Sequence, residues 1–207
     1  MKNNKGFGKF EVLTMIVVLL CIFAFLAYRF LGGASLKKLD TMKNSASNLA
    51  KTVIVNRESF YNPSKVFLGE VIDEQLVKDI KNPIGEGNCS HSESYVELGE
   101  HNNYVTLQCG DYILDHVDVN KIKDATFYQV GEWTTKKTND DDEERVLYNC
   151  KESDGKGKYF DEGYDESYFI YQINRMFTNN YSSIEAINAI CPVEKTTMYR
   201  TKVEVTK

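Results

Sequence analysis

The longest apolar run of the sequence lies near its N-terminus. Between Phe10 and Leu31 the only charged residues are Glu11 and Arg29. At about 1.5 Å of rise per residue, a helix of this length crosses a hydrocarbon core of about 30 Å. The run is longer than the apolar region of a secretory signal, and no small-residue cleavage pattern follows it. The pattern therefore predicts a transmembrane helix over about residues 10–31.

A second helical pattern follows the Gly32-Gly33 pair. Apolar residues recur there at spacings of three and four, with lysines, aspartate and asparagines between them, as in an amphipathic helix. The apolar positions are Leu36, Leu39, Met42, Ala46, Leu49, Ala50 and Val53. We therefore expect one long helix over residues 7–56, whose second half packs on a β-sheet.

The middle of the chain predicts a head module over residues 57–118. An amphipathic helix is expected over Gly69–Ile80, because its apolar residues share one face and Asn82-Pro83 follows it. Alternating apolar and polar residues predict paired strands at Tyr95–Leu98 and Tyr104–Gln108, and Gly110 predicts a tight turn into a third strand.

The last part of the chain, residues 119–207, predicts a second, smaller α+β module. Its elements are a strand over 126–133 with a candidate partner over 143–150, a helix over 168–177, a helix capped by Ser182 or Ser183, and an alternating strand over 198–206. Together the patterns predict an α+β fold, with a long N-terminal helix packed on an antiparallel sheet.

The residues before and at the start of the apolar run form a motif. A basic leader ends at Gly6, Phe7 follows directly, and Glu11 stands four residues further on. A carboxylate at the head of a membrane helix costs a few kcal/mol unless something compensates its charge. This arrangement resembles the type IV pilin and type II secretion pseudopilin family. The pattern of helix, cysteines and strands in the head also resembles pilin-like proteins of Gram-positive-type bacteria.

The resemblance implies a type IV pilin-like fold and a processing route. Prepilin peptidase would remove leader residues 1–6 by cutting between Gly6 and Phe7, and the new Phe7 amine would be methylated. Glu11 would then pair with the Phe7 amine of a neighbouring subunit. The implied protein is a structural subunit of a type IV pilus, pseudopilus or DNA-uptake filament. Its partners would be the peptidase, other pilin-like subunits and the membrane.

The alternative is an uncleaved, single-span membrane anchor that carries an extracellular binding domain. Both interpretations place the C-terminal head outside the cell. They differ in whether the first six residues are removed and in whether the protein polymerises.

The cysteines fit an exported head. Cys21 lies within the apolar run and is expected to act as a small hydrophobic residue. The other four form an even set, which in an oxidising compartment predicts two disulfides with three connectivities available. We favour Cys89–Cys109 and Cys150–Cys191, because each pair then closes within one module.

Charge and residue spacing argue against several other classes. A formal net charge of −5 gives no basic footprint for nucleic acid. The acidic stretches 140–144 and 154–166 could help to bind Ca²⁺, but they lack EF-hand spacing, and solvated loops are expected there. The three histidines His91, His101 and His116 are scattered. We therefore predict no catalytic site, no metal site and no cofactor.

Overall fold

The structure, a computed structural model, describes residues 37–60, 62 and 64–205. The helices are α1 (37–55), α2 (Leu68–Asp73), α3 (Glu166–Phe177) and α4 (Ile184–Asn188), with 3₁₀ turns at Arg57–Ser59 and Val119–Asp124. The strands are β1 (Lys65–Phe67), β2 (Tyr95–Leu98), β3 (Asn103–Cys109), β4 (Tyr112–Asp118), β5 (Tyr128–Val130), β6 (Glu143–Cys150), β7 (Val193–Arg200) and β8 (Lys202–Glu204).

The larger sheet contains six strands of the described chain in the order β1-β2-β3-β4-β5-β8, and all neighbours are antiparallel. Helix α1 covers this sheet with its apolar face. Met42, Leu49 and Val53 are fully buried there, in one core with Val105 and Leu107 of β3. The apolar residues that are spaced three and four apart, and that predicted an amphipathic helix, are therefore the residues that pack on the sheet.

A smaller unit is built on the hairpin of β6 and β7. One face of β6 packs against α3 and α4. Its core contains Tyr148, Cys150, Phe160, Phe169, Ile173, Ile184, Ile187 and Cys191. We call this unit, residues 143–200 with the intervening loops, the second module, and the six-stranded sheet with α1 and α2 the first module.

The chain leaves the first module and returns to it at adjacent points. β5 pairs with β8 so that Val130 lies opposite Lys202. Directly beyond this pair, the Gly131 N–H donates to the Thr201 carbonyl at 3.0 Å. The segment 119–207 therefore contributes strands to both sheets.

Several sequence predictions need correction. The strand over 126–133 was expected to pair with 143–150, whereas β5 pairs with β4 and β8, and β6 pairs with β7. The helix expected over Gly69–Ile80 ends at Asp73, because Gln75 adopts a left-handed conformation with φ of 58°. The single C-terminal strand is divided at Thr201 into β7 and β8, which belong to different sheets.

The predicted fold class, type IV pilin-like with a long N-terminal transmembrane helix, is wrong for the structure described. The class α+β, the antiparallel sheet and the disulfides are present. However, no helix in the ranges 37–60, 62 and 64–205 combines the length and the apolar character needed to span a bilayer. The longest helix of these ranges, α1, is amphipathic: one apolar face packs on the sheet and the opposite face is polar, so it is not apolar all round. The predicted leader, residues 1–6, and the predicted span, residues 10–31, lie outside the described residues.

Candidate functional site

The residues that carry the pilin resemblance lie outside the described part of the chain. Gly6, Phe7 and Glu11 all precede residue 37, where the description begins. Cleavage after Gly6, methylation of Phe7 and assembly through Glu11 therefore stay predictions.

The four cysteines of the head form the two pairs that the sequence favoured. Cys89 is joined to Cys109 across 20 residues of sequence, and Cys150 is joined to Cys191 across 41 residues. All four are buried, the first pair in the core of the first module and the second pair in that of the second module. Each bridge therefore closes a loop within one core.

One buried arginine connects the two modules. Arg200, at the end of β7, has a side chain only 4% exposed. Its Nε donates to Glu143 Oε2 at 2.7 Å, and its Nη1 donates to Gln108 Oε1 at 2.8 Å. Because Glu143 lies on β6 and Gln108 on β3, this guanidinium links the hairpin of the second module to the sheet of the first.

Glu93 is the acidic centre of the same network. Its Oε1 accepts hydrogen bonds from Trp133 Nε1 at 2.6 Å and from Arg145 Nη1 at 2.5 Å. Arg145 also lies 3.4 Å from Asp165, and the Arg200 guanidinium lies 4.3 Å from the Trp133 ring centroid. The paired charges and the cation–π contact satisfy these side chains, of which Arg200 is buried and the others are half-buried, and so restrain their positions.

A cleft of about 800 Å³ opens beside this network, between the two modules. Arg145, Leu147 and Asn149 line it from β6, while the alternate residues Tyr148 and Cys150 belong to the core of the second module. The period of two in a strand thus gives the hairpin one face for its core and one face for the cleft. We call this space the inter-module cleft; its volume is typical of ligand pockets.

A buried carboxylate lies at the start of α2, near the contact between α2 and α3. Glu70 is only 5% exposed, and its carboxylate accepts a hydrogen bond from the Phe67 N–H at 3.4 Å. Burial raises the pKa of Glu70 to about 7, against the lowering effect of that hydrogen bond, and the nearby carboxylates of Asp73 and Asp165 raise it further.

Tyrosines of α3 pack against α2 at the same contact. Tyr171 Oη donates to Asp73 Oδ2 at 2.8 Å, and Arg175 Nη1 lies 2.6 Å from the same oxygen. Burial and the hydrogen bond to Asp73 raise the pKa of Tyr171. Tyr168 lies directly over Gly69, where an added Cβ would overlap its hydroxyl. A side chain at position 69 would therefore hold the helices apart.

The acidic stretch 140–144 is organised by its own turn. Asp142 Oδ2 accepts hydrogen bonds from the backbone N–H groups of Asn139 and Thr138 and from the Thr138 hydroxyl, all at 2.8–2.9 Å. The Asn139 and Thr138 donors lower the pKa of Asp142. Within the described ranges, no group of three His, Cys, Asp or Glu side chains could hold a metal ion.

The histidines have separate surroundings. His91 Nε2 lies 2.6 Å from Asp79 Oδ1, whereas His116 stacks on Tyr104 with ring centroids 4.2 Å apart. His116 also has a φ of 46° and lies beside a register shift in β3. His101 is exposed in the turn between β2 and β3. A histidine-based site joining them is not formed in this part of the chain.

Sequence reasoning missed the residues that form the joint between the modules. Glu93, Trp133, Arg145 and Arg200 come from four separate segments and meet only through the pairing of β5 with β8 and of β6 with β7. The alternation of residues 198–206 predicted a half-solvated strand with Arg200 on its polar face, and this is wrong, because the Arg200 side chain is buried whereas Val203 is exposed. Comparison of the chain with protein-family models, curated proteins and solved structures gives no match.

Proposed function

We propose that the chain is a structural subunit of an exported filament of the type IV pilus, pseudopilus or DNA-uptake class. One observation carries the proposal: a basic leader that ends at Gly6 is followed at once by Phe7, and Glu11 stands at the head of an apolar run. In this proposal prepilin peptidase cuts between Gly6 and Phe7, and the Phe7 amine is methylated. The apolar segment holds the chain in the cell membrane, with the head outside.

Assembly would depend on charge compensation between neighbouring subunits. Methylation leaves the Phe7 amine positively charged, and Glu11 supplies a carboxylate four residues away along the chain. Neither charge is favourable in an apolar surrounding, but a contact between the two stabilises both. No hydrophobic effect drives apolar helices together in lipid, so this charge pair would set the axial offset of adjacent subunits.

Features of the described head are compatible with that role. Met42, Leu49 and Val53 of α1 are fully buried against the sheet, and Lys43 Nζ donates to the Lys123 carbonyl at 2.7 Å. A displacement of α1 along its axis would therefore carry the head with it. The two disulfides suit a head that works in an oxidising compartment outside the cell.

The mass of the mature N-terminus tests the proposal directly. Cleavage predicts a chain that begins with N-methylated Phe7, and a chain recovered from cells with residues 1–6 attached would refute it. Glu11→Gln should abolish incorporation into filaments while leaving the head folded. Glu100→Gln, in the exposed turn between β2 and β3, removes the same charge far from the motif and should assemble normally.

A membrane-anchored binding domain is the second candidate function. The inter-module cleft favours it, because a preformed cavity of about 800 Å³ is large enough for a ligand. This candidate predicts an intact Met1 and no filament from either the parent chain or Glu11→Gln, so the same two measurements separate the candidates.

A further inference from the structure

The inter-module cleft has an apolar floor. Val130 and Leu147 are buried at its base, and Met198 of β7 lies beside Leu147 on the same face of the hairpin, half-buried. On the β6–β7 hairpin Met198 lies opposite Arg145 and Leu147 lies opposite Thr196, so Leu147 and Met198 are diagonal neighbours on the face that lines the cleft. Such a surface suits aliphatic parts of a ligand.

The outer edge of the cleft is acidic. Asp111, Glu132, Asp161 and Glu162 line it and are exposed. Among the residues that the structure describes, none of these four carboxylates has a hydrogen bond or an ion pair. Their charge is therefore not neutralised at short range.

The basic residues of the cleft are already paired. Arg145 lies against Glu93 and Asp165, and Lys158 Nζ lies 2.8 Å from Glu194 Oε2. The cleft thus has five lining carboxylates against two basic side chains, both engaged. A cleft lined mainly by one sign of charge concentrates the field and attracts ligands of the opposite sign. An anionic ligand such as a nucleic acid does not fit this lining.

We propose that the inter-module cleft binds a basic peptide segment through its lysine or arginine side chains. These side chains have an aliphatic stem and a cationic head. The stem would lie on the apolar floor, and the head would reach the carboxylates of the outer edge. The inference uses only residues between 88 and 200, so it holds or fails independently of filament assembly.

Polar and aromatic side chains beside the apolar floor are held in place by contacts within the protein. Glu93, Trp133 and Arg145 line the cleft and are fixed by their mutual hydrogen bonds and by Arg200. Binding then needs little ordering of the protein, which favours affinity. Because the basic side chains of the cleft are already paired, the exposed carboxylates of its outer edge are the groups that discriminate between ligands.

Tryptophan fluorescence gives a direct assay. Trp133 is the only tryptophan in the chain and lines the cleft, so the indole signal reports on this site alone. The full-length chain, kept in detergent, is titrated with acetylated hexalysine amide at about 0.05 M and about 0.5 M salt. We expect a saturable change in Trp133 emission, weaker at least about tenfold at the higher salt. Hexaglutamate at the same concentrations should give no change.

Matched variants locate the binding. Asp161→Asn combined with Glu162→Gln removes two charges from the outer edge and should weaken hexalysine binding about tenfold or more. Asp40→Asn combined with Glu100→Gln removes the same two groups from exposed positions on α1 and in the β2–β3 turn, and should bind like the parent chain.

Three results would overturn the inference. The first is no emission change with hexalysine at low salt. The second is equal binding by the Asp161/Glu162 variant and the parent chain. The third is a saturable response to a neutral oligosaccharide such as chitohexaose without any response to hexalysine, which would assign the cleft to another class of ligand.

Discussion

Glu70 gives a direct test of how burial affects a carboxyl group, because this one group should make the free energy of unfolding depend on pH. Its side chain is buried at the start of α2, with the carboxylates of Asp73 and Asp165 nearby. The substitution Glu70→Gln keeps the shape and keeps an oxygen that can accept the hydrogen bond from the Phe67 N–H. It removes only the ability to ionise.

The sign of the effect follows from the direction of the pKa shift. Burial raises the pKa of Glu70 from its usual 4.5 to about 7 in the folded chain. Below pH 4.5 the group is protonated in both the folded and the unfolded state and costs nothing. As the pH rises, the unfolded chain ionises first, and the free energy of unfolding falls until about pH 7. A shift of this size corresponds to about 3 kcal/mol, fully expressed above pH 7.

The assay compares Glu70→Gln with the parent chain by denaturant unfolding in one detergent from about pH 4.5 to about pH 8. We expect the variant to gain about 3 kcal/mol relative to the parent across that interval, because it lacks the ionising group. Glu100→Gln, an exposed substitution of the same kind, should run parallel to the parent. A stability difference between Glu70→Gln and the parent that stays constant over the interval would refute the reasoning.

Three further substitutions test the packing and the pairing. Gly69→Ala should destabilise the chain by about 1–3 kcal/mol in denaturant unfolding, since the new Cβ overlaps the Tyr168 hydroxyl; an unchanged midpoint would show that the tyrosine moves freely. Arg200→Ala should cost about 2–3 kcal/mol in the same assay, because it removes a buried guanidinium that donates to Glu143 and Gln108, whereas the exposed Arg57→Ala should cost little. Replacing Cys150 and Cys191 by serine should cost about 4 kcal/mol from loop entropy, and a loss below about 1 kcal/mol would contradict that account.

Strands and helix ends were well predicted where the pattern of neighbouring residues in the sequence is sufficient to determine them. β2 spans the predicted Tyr95–Leu98, and β3 contains the predicted Tyr104–Gln108. Ser183 caps α4, with its hydroxyl accepting the Ala186 N–H at 3.3 Å. In these segments each residue is fixed by its neighbours in sequence, so the alternation of apolar positions and the chemistry of a cap are sufficient.

Strand partners were predicted poorly, because they depend on contacts between distant residues. β5 pairs with β8 across more than seventy residues, and no local pattern specifies that choice. The division at Thr201 has the same origin: the alternation of side chains continues across it, but the two halves join different sheets. The network around Glu93 could not be predicted, since it exists only after both pairings form.

The position of the second module has a practical consequence. It is an excursion of the chain that starts and finishes on two hydrogen-bonded residues, Gly131 and Thr201, at the end of a pair of neighbouring strands. A two- to four-residue turn could bridge that gap, as in an ordinary hairpin. Excision would then leave a continuous six-stranded sheet with α1 packed against it.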